Sequence, residues 1–267
     1  MISELTIVIP ALNEARYLPR LLSSITHQTY SGKLQVVVVD GRSTDRTIEV
    51  TREFMDRISD LTVLEAKPDI GHQRNLGATH ARYQHLLFLD ADVELPPKLL
   101  VELFAKVPTE GPFIACTTHT SHHIDLVDRL FLAIAYVLLL TSRLAGVPAV
   151  NGDFILTTRS QHNKIGGFVE GAILGEDIDY CLRSTRAGAK YHYFFKPMVL
   201  ASDRRVRDMG RAKLLKLWLR GYMRVLKQGP IFPGQGFDYP FGHYDGPQAP
   251  DASEHIKKSS QKGSKII

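Results

Sequence analysis

His85-Leu86-Leu87-Phe88-Leu89-Asp90-Ala91-Asp92-Val93-Glu94-Leu95-Pro96-Pro97 is an apolar run that breaks into acid. Its apolar part reads as a buried strand of a parallel sheet, because such strands are covered on both faces and lose the alternation of a half-exposed strand. Pro96 and Pro97 stop any continuation. Asp90 and Asp92 would share a face of a regular strand. With the chain turning off the strand end, both can reach one polar site. Two carboxylates there suit a hard divalent cation, Mg2+ or Mn2+, which takes oxygen ligands and keeps company with phosphate. The carboxyl edge of an open α/β sheet is also where ligands bind. Taken alone, Asp-x-Asp is equally ordinary turn chemistry, so the rest of the chain decides.

Working outward, Leu5 to Pro10 is a short β-branched strand. Asn13 is placed to cap a helix carrying Leu18, Leu21, Leu22 and Ile25 at helical spacing, with Glu14 in its first turn and Pro19 in its early turns. Leu34 to Val39 is a second apolar strand and ends in Asp40-Gly41, again an acid at a carboxyl end. Ser43 or Thr44 caps the next helix, whose apolar face is Ile48, Phe54 and Ile58. A short strand follows at Leu61 to Leu64, then a helix over Gly71 to Tyr83, then the Asp90 strand. This alternation predicts a doubly wound, mostly parallel α/β sheet flanked by helices.

At this point four segments stand in register: Thr6-Ile7-Val8-Ile9-Pro10-Ala11-Leu12-Asn13-Glu14, Val38-Val39-Asp40-Gly41-Arg42-Ser43-Thr44-Asp45, Gly71 with Arg74-Asn75, and Phe88-Leu89-Asp90-Ala91-Asp92. Together they resemble family 2 of the nucleotide-sugar glycosyltransferases, whose fold is GT-A. The resemblance covers about the first hundred residues. It implies that Asp40 accepts a hydrogen bond from the nucleotide base and that Pro10, Asn13 and Glu14 line the base and ribose pocket. Arg74 then contacts the nucleotide by stacking or phosphate pairing. One of the Asp-x-Asp pair binds ribose or sugar, and the other, Asp92 by preference, holds the metal on the diphosphate. Without the family, Asp40 is a turn-forming Asp before Gly and Arg74 a solvated helix residue.

The acceptor side falls in the second half. Asn151 to Leu156 reads as a turn and strand. Gly166-Gly167-Phe168 with Glu170, followed by Glu176-Asp177-Ile178-Asp179, is similar to the family's acceptor segment. There Asp177 is implied to be the base that deprotonates the acceptor hydroxyl during inversion. Like charge from Glu176 and Asp179 would raise its basicity. If the acceptor is instead a lipid phosphate, no base is needed and Asp177 positions it. The alternative for these acids is a helix start complementing the dipole. Arg204, Arg205 and Arg207 follow a short strand through Val199 and Leu200, and either close over the donor diphosphate or form an exposed basic loop. The Gln-x-x-Arg-Trp motif of processive members is absent, which predicts non-processive transfer; the resemblance implies a hexosyl or N-acetylhexosaminyl group. No histidine after the arginines matches the third metal ligand of some members, and His119, His122 and His123 read as a loop beside the sheet.

Length and charge agree with this reading. The 267 residues allow one large α/β domain, with a nucleotide half over about 1–110 and an acceptor half over about 111–228. A net charge of +5 suits an anionic nucleotide or membrane surface, and no nucleic-acid motif is present. Cys116 and Cys181 read as reduced core residues of a cytosolic protein, and the N-terminus offers no signal peptide. Leu130 to Leu140 is too short to span a bilayer, which needs roughly 20 apolar residues. Arg211 to Lys227 is a basic amphipathic helix with Trp218 and Tyr222, of the kind that lies on an anionic membrane. The first is either a buried helix or one dipping into the interface, and the second equally fits a surface helix packing its apolar side on the domain. As membrane segments they point to a lipid-linked acceptor and to peripheral contact with the inner face of the membrane. From Gly229 onward a Pro/Gly- and Lys-rich flexible tail is expected.

Two other functions share some of these features. Haloacid-dehalogenase-like phosphatases also use Asp-x-Asp after an apolar strand, but want Thr or Val four residues after the first Asp, where this chain has Glu94. The other is a non-catalytic nucleotide-sugar binder or membrane-surface protein.

Overall fold

The structure is a computed structural model. It describes residues 2–121 and 152–237, with positions 127, 130, 133, 134, 136, 137, 141, 148 and 150 between them. Its strands are β1 (Glu4–Ala11), β2 (Lys33–Asp40), β3 (Leu61–Glu65), β4 (His85–Leu89), β5 (Val93–Glu94), β6 (Phe113–Thr120), β7 (Phe154–Thr158) and β8 (Lys190–Ala201). The helices, numbered here in chain order, are α1 (Leu18–Thr26), α2 (Thr47–Arg52), α3 (Ile70–Thr79), α4 (Leu99–Phe104), α5 (Arg159–Lys164), α6 (Glu176–Arg186), α7 (Arg204–Met209) and α8 (Arg211–Gln228).

The strands form one sheet in the order β3-β2-β1-β4-β7-β6-β8-β5. β3, β2, β1 and β4 are parallel neighbours, as is β6 with β8. β7 runs antiparallel to β4 and β6, and β5 antiparallel to β8. The expected mostly parallel α/β sheet is present. Its antiparallel part is made by β7, between β4 and β6, and by β5 at the edge beside β8.

Alternation along each strand sends side chains to two cores. Ile7, Ile9, Val36, Val38, Leu87 and Leu89 pack with α1 and α4 through Leu18, Leu21, Leu22, Leu103 and Phe104. Val8, Leu86 and Phe88 pack the other way, against Ala78, Phe168, Tyr180 and Val225. Val36 to Val39 are all fully buried, and each contributes about 1.5–3 kcal/mol of hydrophobic stabilisation. β1 connects to β2 on one side and lies beside β4 on the other, so the carboxyl ends of β1, β2 and β4 frame a crevice at the point where the winding reverses.

Several local expectations are corrected. Asn13 does not cap α1, which starts at Leu18 behind Tyr17 with no side-chain cap. Asn13 adopts a left-handed φ of 56°, which an Asn tolerates. It binds across the crevice: its Oδ1 accepts from the Thr44 N–H at 2.8 Å and its own N–H donates to Ser43 Oγ at 2.8 Å. Ser43 and Thr44 are thereby used, and Arg46 stands at the N-cap of α2 without a side-chain bond. α3 ends at Thr79 rather than Tyr83, and Asp69 caps its start by accepting from the His72 N–H. The first residues of the expected tail are packed: Ile231 is fully buried and bridges Leu174, and Phe237 lies near Gly221 of α8. Residues 238–267 and Asn151, His122 and His123 lie outside the described residues, as does most of the Leu130 to Leu140 run.

Candidate active site

Asp40 closes β2 and is 1% exposed. Its Oδ2 accepts from the Ser43 N–H at 2.9 Å, while its Oδ1 is buried with no hydrogen-bond partner. A buried carboxylate oxygen left unpaired is costly, so this atom is an acceptor held ready for a donor. Behind it, Gln73 of α3 donates to Ala11 O at 2.9 Å and Val39 O at 2.7 Å, stitching the ends of β1 and β2 together. Pro10 stands beside Val39 in the same register.

Next to this pocket the acids and arginines converge. Arg204 forks onto Glu14 at 2.8 and 3.0 Å, and its Nε lies 3.2 Å from Asp92 Oδ2. Ser202 donates from Oγ to the same Asp92 oxygen at 2.7 Å. Burial lifts the Glu14 carboxyl to about 7, with Arg204 pulling it down and Asp92 pushing it up. Burial also lifts Asp90 to about 6, against the pull of Arg74 and with a push from Asp92. Arg205 is near enough to hold Asp90 down and to oppose charge on His119. Arg204 opens α7, none of whose residues is buried.

Arg74 is not on a solvated face. Its side chain is 1% exposed and donates to Asp90 Oδ1 at 2.8 Å, Glu176 Oε1 at 3.1 Å and Gly152 O at 2.9 Å. Its guanidinium carbon lies 5.0 Å from the centre of the Phe168 ring. Glu176 and Asp177 open α6 behind Gly175, whose φ of 88° is left-handed. A Cβ on Gly175 would also meet Val225 at 2.5 Å, so only Gly fits there. The acids thus do lie at a helix N-terminus, where the dipole favours them. Burial nonetheless lifts Glu176 to about 7 and raises Asp177, against the pull of Arg74. Asp177 Oδ1 accepts from the adjacent Ile178 N–H at 2.8 Å. Asp179 turns away to Arg183, and Arg183 also donates to Ile165 O and Gly167 O, bracing the Gly-Gly-Phe turn.

The structure therefore brings Glu14, Arg74, Asp90, Asp92, Asp177, Arg204 and Arg205 into one charged cleft. Asp40, Asn13 and Pro10 flank it at the ends of β1 and β2. Two further residues were not legible. His119 is on β6 rather than in a loop, 2.8 Å from Asp153 Oδ2, and the Asp90 N–H donates to Asp153 O. Burial works against charge on this imidazole, but Asp153 holds it above its ordinary value.

A divalent cation fits this donor set. Asp90 and Asp92 supply hard oxygen ligands, and carboxylates outnumber the guanidinium groups that face them. No cluster of three or more ligating side chains occurs among the described residues. Mg2+ needs only one or two carboxylates when phosphates complete its shell.

Comparison with known proteins points to glycosyltransferases. The model for Glycosyl transferase family 2 matches residues 6–130. The chain is 26% identical over 196 residues to 4,4'-diaponeurosporenoate glycosyltransferase of Staphylococcus haemolyticus, covering 66% of this chain and 52% of that protein. It is 38% identical over 92 residues to a PGL/p-HBAD biosynthesis glycosyltransferase of Mycobacterium tuberculosis, covering 34% of this chain and 36% of that protein. The chain thus spans about half or less of these relatives' lengths. Among solved structures, S. aureus TarS 1-349 in complex with UDP-GlcNAc superposes with a TM-score of 0.56 at 16% identity, covering 73% of this chain and 57% of that one. Mannosyltransferase PcManGT from Pyrobaculum calidifontis, in complex with GDP-Man and Mn2+, superposes with a TM-score of 0.58 at 21% identity, covering 81% and 64%. These structures share the GT-A fold with this chain. Residues 6–130, which carry the Asp40 and the Asp90–Asp92 strand ends, are the part of the chain that resembles glycosyl transferase family 2.

Proposed function

We propose that this protein is an inverting, non-processive glycosyltransferase that moves a hexosyl or N-acetylhexosaminyl group from a nucleoside-diphosphate sugar to an acceptor hydroxyl or lipid phosphate. The observation that carries the reading is the cleft itself: Asp90 and Asp92 facing Arg204 and Arg205 beside an unpaired Asp40 oxygen. The UDP-GlcNAc and GDP-Man complexes of the structural neighbours support a donor of this class.

In this reading Asp40 Oδ1 accepts from a base N–H, and Pro10, Asn13 and Glu14 form the wall of the base and ribose pocket. Asp92 and Asp90 would hold Mg2+ or Mn2+. When bound, the cation neutralises charge on the departing diphosphate. Arg204 exchanges its carboxylate partners for phosphate oxygens, which suit a guanidinium fork, and Arg205 beside it adds positive charge. Asp177 Oδ2 takes the acceptor proton as that oxygen attacks the anomeric carbon from the face opposite the leaving group. Calorimetric titration of UDP, GDP and CDP, with and without Mn2+, tests this. Tight, metal-dependent binding of one nucleotide is expected, and binding of none would overturn the reading.

The acceptor side has a basic surface. On α8, Leu214, Gly221 and Val225 face the core, while Lys213, Lys216, Arg220 and Lys227 are exposed with Leu219 and Met223 among them. Charge with interleaved apolar groups suits an anionic lipid surface. No described helix is long and apolar enough to cross a membrane. Sedimentation with phosphatidylglycerol vesicles at low salt is expected to pull the protein down, and Lys213→Glu with Lys216→Glu to release it. Indifference to the vesicles would refute a peripheral contact.

A further inference from the structure

Arg74 heads the large side chains that are fully buried, and its surroundings are unlike those of a ligand-facing arginine. Its terminal nitrogens are taken by Asp90, Glu176 and the Gly152 carbonyl. These three groups come from the end of β4, the start of α6 and the turn before β7, so one guanidinium ties the nucleotide half to the acceptor half. It is held from below by the Gly-Gly-Phe turn. Phe168 lies under it, stacked on Tyr180 at 3.9 Å between ring centres and edge-on to Phe88. The neighbouring Asn75 fixes the Phe168 backbone from both sides, accepting from its N–H at 2.8 Å and donating to its carbonyl at 2.9 Å. The same contacts explain the tight fit at Gly152, where a Cβ would come within 2.6 Å of Asp177 Oδ2.

We infer that Arg74 is a positioning residue that fixes Asp90 and the Glu176–Asp177 pair relative to one another, and makes no contact with the donor. This rests on the transferase reading above and departs from the nucleotide contact that the family resemblance implies for Arg74. Both terminal nitrogens are engaged and the side chain is 1% exposed, with only Nε lacking a partner, so a phosphate could reach the fork only by displacing a carboxylate from a buried ion pair. Because Glu176 takes one arm of the fork, Asp177 next to it keeps an oxygen for the acceptor. A lysine at this position keeps the charge but has no planar fork with which to hold two carboxylates and a carbonyl at once.

The test separates donor affinity from turnover. Binding of UDP and GDP is measured by calorimetry, and hydrolysis of UDP-N-acetylglucosamine and GDP-mannose, with water as acceptor, gives kcat and KM. For Arg74→Lys the expected result is a kcat lowered about 10²-fold, the size of effect that a small misplacement of reacting groups produces, with nucleotide affinity and KM within about threefold of the parent. Glu176→Gln, which leaves Arg74 in place, should show the same split. The double variant should be little worse than the poorer single one, because the residues act as a unit. Nucleotide affinity weakened tenfold or more in Arg74→Lys at unchanged kcat would overturn the inference, as would fully additive losses in the double variant. If Arg74→Lys does not fold, Glu176→Gln decides alone, and parental kcat there refutes the assignment. A parent that binds neither UDP nor GDP overturns the transferase reading and this inference with it, whereas normal binding with a displaced KM overturns the inference only.

Discussion

Asp177→Asn is expected to lower transfer to a hydroxyl acceptor or to water by about 10²–10⁴-fold, the usual contribution of a positioned base, while leaving nucleotide affinity unchanged. The amide keeps the shape and cannot take the proton. The pH profile gives a second readout. Burial raises Asp177, and its neighbour Glu176 is lifted to about 7. The base is competent only when ionised, so kcat/KM in the parent should rise with pH along an acid limb that lies above the ordinary carboxylate range. Asp177→Asn should flatten that limb. A retained limb with full kcat would show that Asp177 does not abstract the proton, the outcome required of a phosphate acceptor.

Asp92→Ala is expected to be as damaging by another route. Its carboxylate faces Ser202, Arg204 and, in the proposed reading, the cation. Charge stabilisation of a leaving diphosphate amounts to several kcal/mol, so kcat/KM should fall about 10³-fold or more, and Mn2+ should no longer strengthen UDP or GDP binding. Arg204 keeps its fork on Glu14 in this variant, so the cleft should stay folded and the melting temperature close to the parent's. Metal-stimulated nucleotide binding that survived Asp92→Ala would place the cation elsewhere.

Much of this site was legible because its acids close strands. Asp40 and Asp90 follow continuous apolar runs, and a carboxylate at the end of a buried parallel strand has few places to go except the ligand edge. The misread parts share a different cause. Asn13 has the right chemistry for a helix cap, yet its partners are Ser43 and Thr44, about 30 residues away on the next strand end. The Glu14–Arg204 fork spans 190 residues, and the His119–Asp153 pair depends on β6 lying beside β7. No local period encodes such meetings. Ile231 and Phe237 sit in a Pro/Gly-rich stretch whose composition predicts no core, but two apolar side chains suffice to anchor it against Leu174 and α8.

The Arg204 fork also bears on the order in which ligands assemble. One guanidinium offsets Glu14 and Asp92 together. In the proposed reading, a cation arriving alone must displace the Arg204 Nε from Asp92 while the fork stays on Glu14, and a nucleotide arriving alone brings two more negative charges to an acidic site. In the same reading, when the two arrive together the diphosphate would offer Arg204 a new partner while the cation would take its place at Asp92. Each ligand then strengthens the other by the same factor, as thermodynamic reciprocity requires. A protein built this way would hold free metal weakly and free nucleotide weakly, and respond mainly to the metal–nucleotide complex that circulates as the donor.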